Sequence, residues 1–316
     1  MTAVLPYVLL IIGFVLLIKG ADFFVDGASS IAAKLKVPSL IIGLTVVSIG
    51  TSLPEAAVSI SASLSGSNAI SLGNVIGSNI FNLLVVVGVS SVILPIVTDS
   101  DILKRDMPVN IASTIILFVM LLDRTLSRIE AAILLLLLIA YMFFLIRSAL
   151  KSRTEADETK VLSWTKSLIF VVAGAAAIIF GGNMVVNNAK IIAATLGMGD
   201  TLIGLTVVAF GTSLPELVTS IIAAKKGDSG IAMGNVVGSC IFNILFILGI
   251  SGVIQPLSAD SAFFIDTGIL FGICLMMLLF AFTKKKTDRA EGAISVLLYI
   301  AYTAYIIMRA FHIWIF

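Results

Sequence analysis

Charged residues are scarce in this chain: Asp, Glu, Lys and Arg make up 12% of its 316 residues, whereas soluble domains carry about 25%. Together with 59% hydrophobic residues and a mean hydropathy of +1.16, this excludes an ordinary soluble domain and predicts a membrane protein. One histidine, His312, leaves nothing for a His-based metal site or His-based catalysis. The two cysteines, Cys240 and Cys274, have neither metal nor redox spacing. Because no basic patch with interleaved aromatic residues occurs, we expect no nucleic-acid partner.

Long apolar stretches are abundant instead, and a helix that crosses a bilayer needs about 20 such residues. Ten stretches meet this need, so we predict an all-α protein with ten transmembrane helices in the lipid bilayer. The predicted spans are Ala3–Leu35, Ser39–Leu64, Ile70–Leu94, Pro108–Leu122, Arg128–Leu150, Leu162–Leu196, Thr201–Ala224, Ile231–Ile254, Phe263–Phe282 and Ala290–Phe311.

Two of these spans contain the same six residues, Gly-Thr-Ser-Leu-Pro-Glu, as Gly50–Glu55 and Gly211–Glu216. A charge at the bilayer centre costs about 3 kcal/mol on insertion scales, so an intramembrane Glu indicates a functional site. The alternative is a buried ion pair or a protonated, hydrogen-bonded acid. No Lys or Arg lies in the flanking apolar segments to form such a pair, which favours the functional interpretation.

The motif belongs to a longer internal repeat. A shift of 161 residues superimposes Gly43–Ser90 on Gly204–Ser251 with about 27 identities in 48 positions. We therefore predict a first five-helix repeat at 1–150, a linker at 151–161 and a second repeat at 162–316. An odd number of spans makes the second repeat enter from the opposite side, and inverted repeats are typical of secondary transporters with a midplane site on broken helices.

The positive charges orient the predicted spans. About 15 Lys and Arg residues fall on one face, and only Arg124, Arg128, Lys190 and Arg309 fall on the other. By the positive-inside rule the first face, with the linker, is cytoplasmic in the cell membrane, and both termini are outside.

The repeated motif supplies oxygen ligands. Pro54 and Pro215 remove a backbone donor, and the glycines four residues earlier loosen the same turn, so each helix should break near the midplane. We expect this break to free backbone carbonyls, among them those of Ser48 and Ala209. Oxygen-bearing side chains follow on the same or the next helix; they are Thr51, Ser52, Glu55, Ser78 and Asn82, and in the second repeat Thr212, Ser213, Glu216, Ser239 and Asn243. For the four serines and amides of the next helix, simple helix-to-helix hydrogen bonding remains an alternative.

A site with only oxygen ligands and two carboxylates suits a hard cation. Ca²⁺ takes about 6–8 oxygens in a flexible arrangement, and Na⁺ uses the same atoms. One Ca²⁺ or two Na⁺ would neutralise two glutamates, and a site that crosses the membrane only when neutralised would exchange one for the other. Coupling to H⁺ or K⁺ instead of Na⁺, a passive cation channel and a membrane enzyme stay open as alternatives.

The two motifs, each followed by a Gly-Asn-Val-x-Gly-Ser-x-Ile-Phe-Asn run that ends at Asn82 or Asn243, resemble the α-repeats of the sodium/calcium exchanger family. The resemblance implies Na⁺-driven Ca²⁺ transport by alternating access, with no enzymatic activity and no cofactor beyond the transported ions. It implies Glu55 and Glu216 as central Ca²⁺ ligands, and Asn82 and Asn243 as lining residues. The hydroxyl groups of Thr51, Ser52, Ser78, Thr212, Ser213 and Ser239 would also serve Na⁺, and the carbonyls of Ser48 and Ala209 would assist.

The same resemblance implies that the long first and sixth helices form a sliding gate and that the chain acts as a monomer. Some prokaryotic relatives have Asp where this chain has Asn243, so any proton sensitivity must reside in the glutamates here. The first helix also carries Lys19, Asp22 and Asp26 at spacings of three and four, for which we expect an intrahelical ion pair. A role in attracting cations is the alternative for these charges.

Overall fold

The structure is a computed structural model that describes residues 4–151, 161–197 and 209–310. Its helices are α1 (Leu5–Leu35), α2 (Ser39–Thr51), α3 (Leu53–Leu64), α4 (Ala69–Ile93), α5 (Ile102–Asp123), α6 (Arg128–Lys151), α7 (Trp164–Thr195), α8 (Ala209–Thr212), α9 (Leu214–Lys225), α10 (Ser229–Ile254), α11 (Ser261–Lys284) and α12 (Arg289–Ala310). Four strands have two residues each: β1 (Ile96–Val97), β2 (Thr125–Leu126), β3 (Leu257–Ser258) and β4 (Lys286–Thr287).

Within these described ranges, eight helices are long and apolar enough to cross a membrane, and the bent pair α2–α3 makes a ninth span. The helices α8 and α9 occupy the place of α2–α3 in the second repeat. The first part of that predicted tenth span, residues 201–208, lies outside the described residues, as do residues 152–160 of the predicted linker.

The prediction for the fourth span was too short at its start, because α5 begins at Ile102 and not at Pro108. The three charged residues that argued against a helix there are compensated locally. Arg105 lies 2.8 Å from the Asp106 carboxylate and donates to Ser148 of α6, and Tyr141 donates to Asp106 at 3.1 Å. These contacts allow the helix to extend through a charged turn.

The four short strands show that the repeats are inverted. Shifting by 161 residues places β1 on β3 and β2 on β4, yet β1 pairs with β4 and β2 pairs with β3, both antiparallel. Because α5 separates β1 from β2, the two sheets lie at opposite ends of the bundle. Equivalent loops of the two repeats are therefore at opposite faces, as predicted. We call the face with the β1–β4 sheet and the linker ends the linker face, and the face with the β2–β3 sheet the distal face.

The first and sixth predicted spans, α1 and α7, cross along a seam of glycines. A Cβ atom added at Gly20 would lie 2.8 Å from Ala177 Cβ and 3.0 Å from the Gly174 carbonyl oxygen, and one at Gly174 would lie 2.8 Å from the Gly20 carbonyl oxygen. Only glycine permits so close an approach of two helices. The seam leaves few interlocking side chains along the line where the two long helices meet.

The core consists of α4 and α10, which the other helices surround. Almost every residue of α10 from Ile231 to Leu245 is buried, and Leu72, Val75 and Ile80 of α4 are 0% exposed. Both helices change to the wider π-helical form, over Asn82–Val86 and Asn243–Leu248. Such π-segments occur frequently at functional sites because they turn side chains away from the regular helical pattern.

Candidate cation site

The predicted helix break occurs at the repeated motif. The axes of α2 and α3 differ by 49°, and the break lies at Ser52, two residues before Pro54. Pro54 sits in the first turn of α3, where its missing N–H costs nothing, and Glu55 follows it in that turn. In the second repeat α9 begins the same way, with Pro215 and Glu216 in its first turn. Each carboxylate is thereby placed at a helix N-terminus, where the helix dipole favours negative charge.

One detail of the predicted break was wrong. The Ser48 carbonyl is not freed, because it accepts a hydrogen bond from the Ser52 N–H at 3.0 Å. Pro54 removes the helical donor of the residue four positions earlier, Gly50, and not that of Ser48. The Ser48 oxygen still faces the site, where the Ser239 hydroxyl lies 3.5 Å away. The matching prediction for the Ala209 carbonyl, at the first described residue of α8, remains a prediction.

The two glutamates meet through hydrogen bonds that cross between the repeats. Ser52 of the first repeat donates to Glu216 Oε1 at 2.9 Å, and Ser213 of the second repeat donates to Glu55 Oε1 at 3.0 Å. Both carboxylates are 0% exposed and interact electrostatically. The site is therefore shared equally by the two repeats, and neither repeat forms it alone.

The serines of α4 and α10 extend this arrangement. Ser213 donates to Ser78 at 3.2 Å, and Ser52 donates to Ser239 at 2.9 Å. Each crossing serine thus lies between a glutamate and a hydroxyl group of the other repeat or its own. Ser78 and Ser239 hydrogen-bond within the site, so the predicted pair of hydroxyl groups lies beside the carboxylates.

Two asparagines that the sequence left undecided hold the glutamate backbones. The Asn74 side-chain amide donates to the Glu55 carbonyl at 3.1 Å and to Ser59 at 2.9 Å. Asn235 makes the equivalent bonds to the Glu216 carbonyl at 3.3 Å and to Ser220 at 2.9 Å. Sequence reasoning missed both partner serines, although their identical positions in the two repeats were a usable signal.

Thr51 and Thr212, which are equivalent in the repeat, differ in their contacts. Thr51 donates to Asn235 Oδ1 at 3.0 Å, which links α2 to α10. The Thr212 hydroxyl has no hydrogen-bond partner among the described residues. The two halves of the site are thus not in the same condition, although their sequences match.

Asn82 and Asn243 differ in a similar way. Each is the first residue of a π-segment and 0% exposed. The Asn243 amide donates to Asn79 Oδ1 at 3.0 Å, whereas neither polar atom of Asn82 has a partner in the described structure. Asn79, which also donates to the Cys240 carbonyl at 3.1 Å, is a further residue that sequence reasoning missed.

Several buried oxygens converge here without a hydrogen-bond donor. In the described part of the chain, the unpartnered atoms of the site are Glu55 Oε2, Glu216 Oε2, Asn82 Oδ1, Asn243 Oδ1 and Thr212 Oγ1. Buried polar atoms in folded proteins are nearly always paired, and unpaired carboxylate oxygens are the most costly. The same described residues contain no group of three or more His, Cys, Asp or Glu side chains. A hard cation fits this donor set, and a soft metal does not.

A cleft of about 410 Å³ leads to the site from one side. Its inner end includes Asn74, Ser78 and Thr212, and its outer end lies between Asp266 of α11 and Arg309 of α12. Asp266 follows β3 and Arg309 ends α12, so the cleft reaches the distal face. The site is therefore accessible from the distal side in this structure.

At the linker face, by contrast, α1 is tied to the second repeat. Lys226, next to the end of α9, forms ion pairs with Asp22 and Asp26 of α1, both at 2.6 Å. The predicted pair within α1 was therefore wrong in its cation, because Lys226 of the second repeat supplies it. Nearby, Ser29 and Ser39 donate to the Asp228 carboxylate at 2.9 and 2.7 Å. These contacts close the linker side.

Comparison with known proteins gives the same family for both repeats. The family model described as sodium/calcium exchanger protein matches residues 5–147 and 166–308. A sodium/calcium exchanger of Methanosarcina acetivorans, MaX1, is 38% identical over 94% of this chain and 97% of its own, and the putative antiporter CaxA of Alkalimonas amylolytica is 37% identical over 93% and 96%. The solved structure of the sodium-calcium exchanger NCX_Mj soaked with zero Na⁺ and Ca²⁺ superimposes with a TM-score of 0.85 at 35% identity, covering 96% of this chain and 99% of that one.

Proposed function

The chain belongs to the sodium/calcium exchanger family, and we propose that it carries Ca²⁺ and Na⁺ in turn across the membrane at the site between Glu55 and Glu216. It is an antiporter and not an enzyme, and the ions are its substrates. The observation that carries the assignment of the site is the pair of crossing serine–glutamate bonds, which bring two fully buried carboxylates of opposite repeats together.

We assign Ca²⁺ to the centre, between the free Oε2 atoms of Glu55 and Glu216. One Ca²⁺ neutralises both carboxylates, and so do two Na⁺. The remaining oxygen ligands come from the neutral groups around the centre; they are Thr51, Ser52, Ser78, Asn82, Thr212, Ser213, Ser239 and Asn243, with the carbonyls of Ser48 and Ala209. An empty site leaves two charges facing one another in a medium of low dielectric constant, where their repulsion is far stronger than in water.

This charge balance explains why transport is an exchange. A site with two uncompensated carboxylates is costly to seal from water, whereas a site filled with Ca²⁺ or with Na⁺ is close to neutral. The protein therefore changes access only when it is loaded, so one ion species must leave before the other is carried back.

We propose that α1 and α7 perform the change of access by sliding along their glycine seam. In the present structure the distal cleft is open and the linker side is closed by Lys226. Exchanging the conformations of the two inverted repeats would open the linker side and close the distal side.

We further propose that the linker face is cytoplasmic, that both termini lie outside and that a single chain is the working unit. The excess of Lys and Arg at the linker face supports the orientation. The completion of the two-fold site by one chain supports the monomer.

Transport in liposomes tests the proposal. Purified protein loaded with Na⁺ inside should accumulate Ca²⁺ against its gradient, and removing internal Na⁺ at constant pH should abolish the uptake. Glu55→Gln should remain folded and inserted but lose Ca²⁺ uptake. Glu130→Gln, which removes a carboxylate at the start of α6 outside the site, is the matched control and should transport normally. Uptake that follows a proton or K⁺ gradient instead would refute Na⁺ coupling, and uptake that needs no counter-ion would indicate a pore.

A further inference from the structure

An ion pair of high quality stands at the mouth of the distal cleft. Arg309 donates to both oxygens of Asp266, Nη1 to Oδ1 at 3.0 Å and Nη2 to Oδ2 at 2.8 Å, and also to the Tyr305 hydroxyl at 3.3 Å. The two residues connect α11 to α12, the helices that form this wall of the cleft. Both line the same cavity as Ser78 and Thr212, so a cation moving to the site passes this pair.

The two charges are not equally exposed. The Arg309 side chain is 22% exposed and the Asp266 side chain 6%. A cation in the cleft therefore meets the guanidinium group first, while the carboxylate lies behind it. In a narrow cleft with walls of low dielectric constant, a fixed charge changes the local concentration of ions strongly, and clefts lined by one sign of charge do so by factors of about 10 to 1000.

The inverted repeat provides the comparison at the other face. Asp266 corresponds to Arg105 and Arg309 to Ser148 under the shift of 161 residues. These two counterparts also contact one another, with Arg105 donating to Ser148 at 2.7 Å. The same two positions are thus in contact in both repeats, but a carboxylate–guanidinium pair occupies them only at the distal face. A purely structural contact between neighbouring helices is satisfied by Arg and Ser, so the charge pair is an additional property of the distal mouth.

We propose that the Asp266–Arg309 pair controls the access of cations to the distal cleft, with Asp266 attracting them and Arg309 limiting that attraction. This inference rests on the proposed function of the central site, but it concerns residues outside that site. It requires that removing the two charges has opposite effects. A contact that only holds α11 against α12 would give effects in the same direction, because either substitution breaks it.

Initial rates of Na⁺-driven Ca²⁺ uptake test this, measured with Ca²⁺ presented at the distal face of vesicles of known orientation. Arg309→Gln should lower the KM for Ca²⁺ about threefold to tenfold, and Asp266→Asn should raise it by a similar factor, with kcat little changed. The double variant Asp266→Asn/Arg309→Gln should return KM close to that of the wild type, which separates a field effect from misfolding. Ser148→Ala, at the counterpart of Arg309, should leave the distal-face KM unchanged.

Ionic strength supplies the second measurement. Raising it with choline chloride from 0.01 to 0.5 M should reduce all three KM differences, because screening shortens the reach of a charge from about 30 Å to a few ångströms. KM changes in the same direction for both single variants, unchanged KM values, or differences that persist in high salt would overturn the inference. Wild-type protein that fails to exchange Na⁺ for Ca²⁺ would refute the proposed function itself, before any variant is compared.

Discussion

Replacing Lys226 by Gln should shift the protein towards the conformation that is open at the linker face. Lys226 bonds to Asp22 and Asp26 of α1 and also donates to the Asp22 carbonyl at 2.8 Å. In the inverted repeat the equivalent positions are Ser65, Asn183 and Asn187, all exposed to solvent or lipid. Exchanging the conformations of the two repeats would therefore break two ion pairs at the linker face and form none at the distal face.

The size of the shift follows from the exposure of the groups. The side chain of Lys226 is 29% exposed, and those of Asp22 and Asp26 are 40% and 46% exposed. Partly exposed ion pairs contribute about 0.2–1 kcal/mol each, so the two pairs together favour the present state by about 0.5–2 kcal/mol. Since 1.4 kcal/mol is a factor of ten, Lys226→Gln should raise the ratio of linker-open to distal-open molecules by about twofold to thirtyfold.

Distances between spin labels would measure this ratio. One pair at Leu35 and Lys225 reports the linker face, and a second pair at Ser65 and Asn183 reports the distal face. Lys226→Gln should lengthen the first distance and shorten the second in part of the population. A matched control is Lys226→Arg, which keeps the charge and should leave both distributions near those of the wild type. Distributions for Lys226→Gln that match this control would refute the lock.

Three further predictions follow from the described contacts. Building the lock at the other face, with Ser65→Lys, Asn183→Asp and Asn187→Asp together, should shift the same two distances in the opposite direction. Gly20→Val should abolish Ca²⁺ uptake while Gly272→Val, where an added Cβ meets nothing within 4 Å, should not, because a side chain at Gly20 would collide with the backbone of α7; equal uptake by both would refute the sliding seam. Ca²⁺ at about 100 times its Kd should stabilise the wild type by about 2.7 kcal/mol in thermal unfolding, and Glu216→Gln should lose this stabilisation; an equal gain in the variant would contradict the assigned ligand.

Much of the fold was predictable because the bilayer restricts what a sequence can form. Long apolar stretches must be helices, and five of them per repeat must invert the second repeat. The errors occurred where charges enter a helix. At Arg105 and Asp106 a local ion pair and Tyr141 extended α5, and at Asp22 and Asp26 the cation came from Lys226, some 200 residues away in the chain. Hydropathy counts charges but does not show their partners.

The site was predictable for a different reason: the repeat reads the same ligands twice. Glu55 and Glu216 with their serines stood out as identical positions in matching spans. The crossing of the bonds, with each serine serving the glutamate of the other repeat, was not visible, because sequence spacing places Ser52 near Glu55 and not near Glu216. The unequal contacts of Thr51 and Thr212 were also invisible, since identical sequences in one chain adopt two different conformations in any single access state.

That inequality has a consequence for where the direction of transport is controlled. Positions that are identical in the two repeats contribute equally to both access states, so they set which ions bind but give neither face an advantage. A preference between faces must come from positions where the repeats differ. The ion pairs of Lys226 and the Asp266–Arg309 pair are two such positions, one acting on the conformational equilibrium and the other on cation access. Variants at these residues should therefore change the sidedness of exchange while leaving ion selectivity intact, whereas variants of Glu55 or Glu216 should do the reverse.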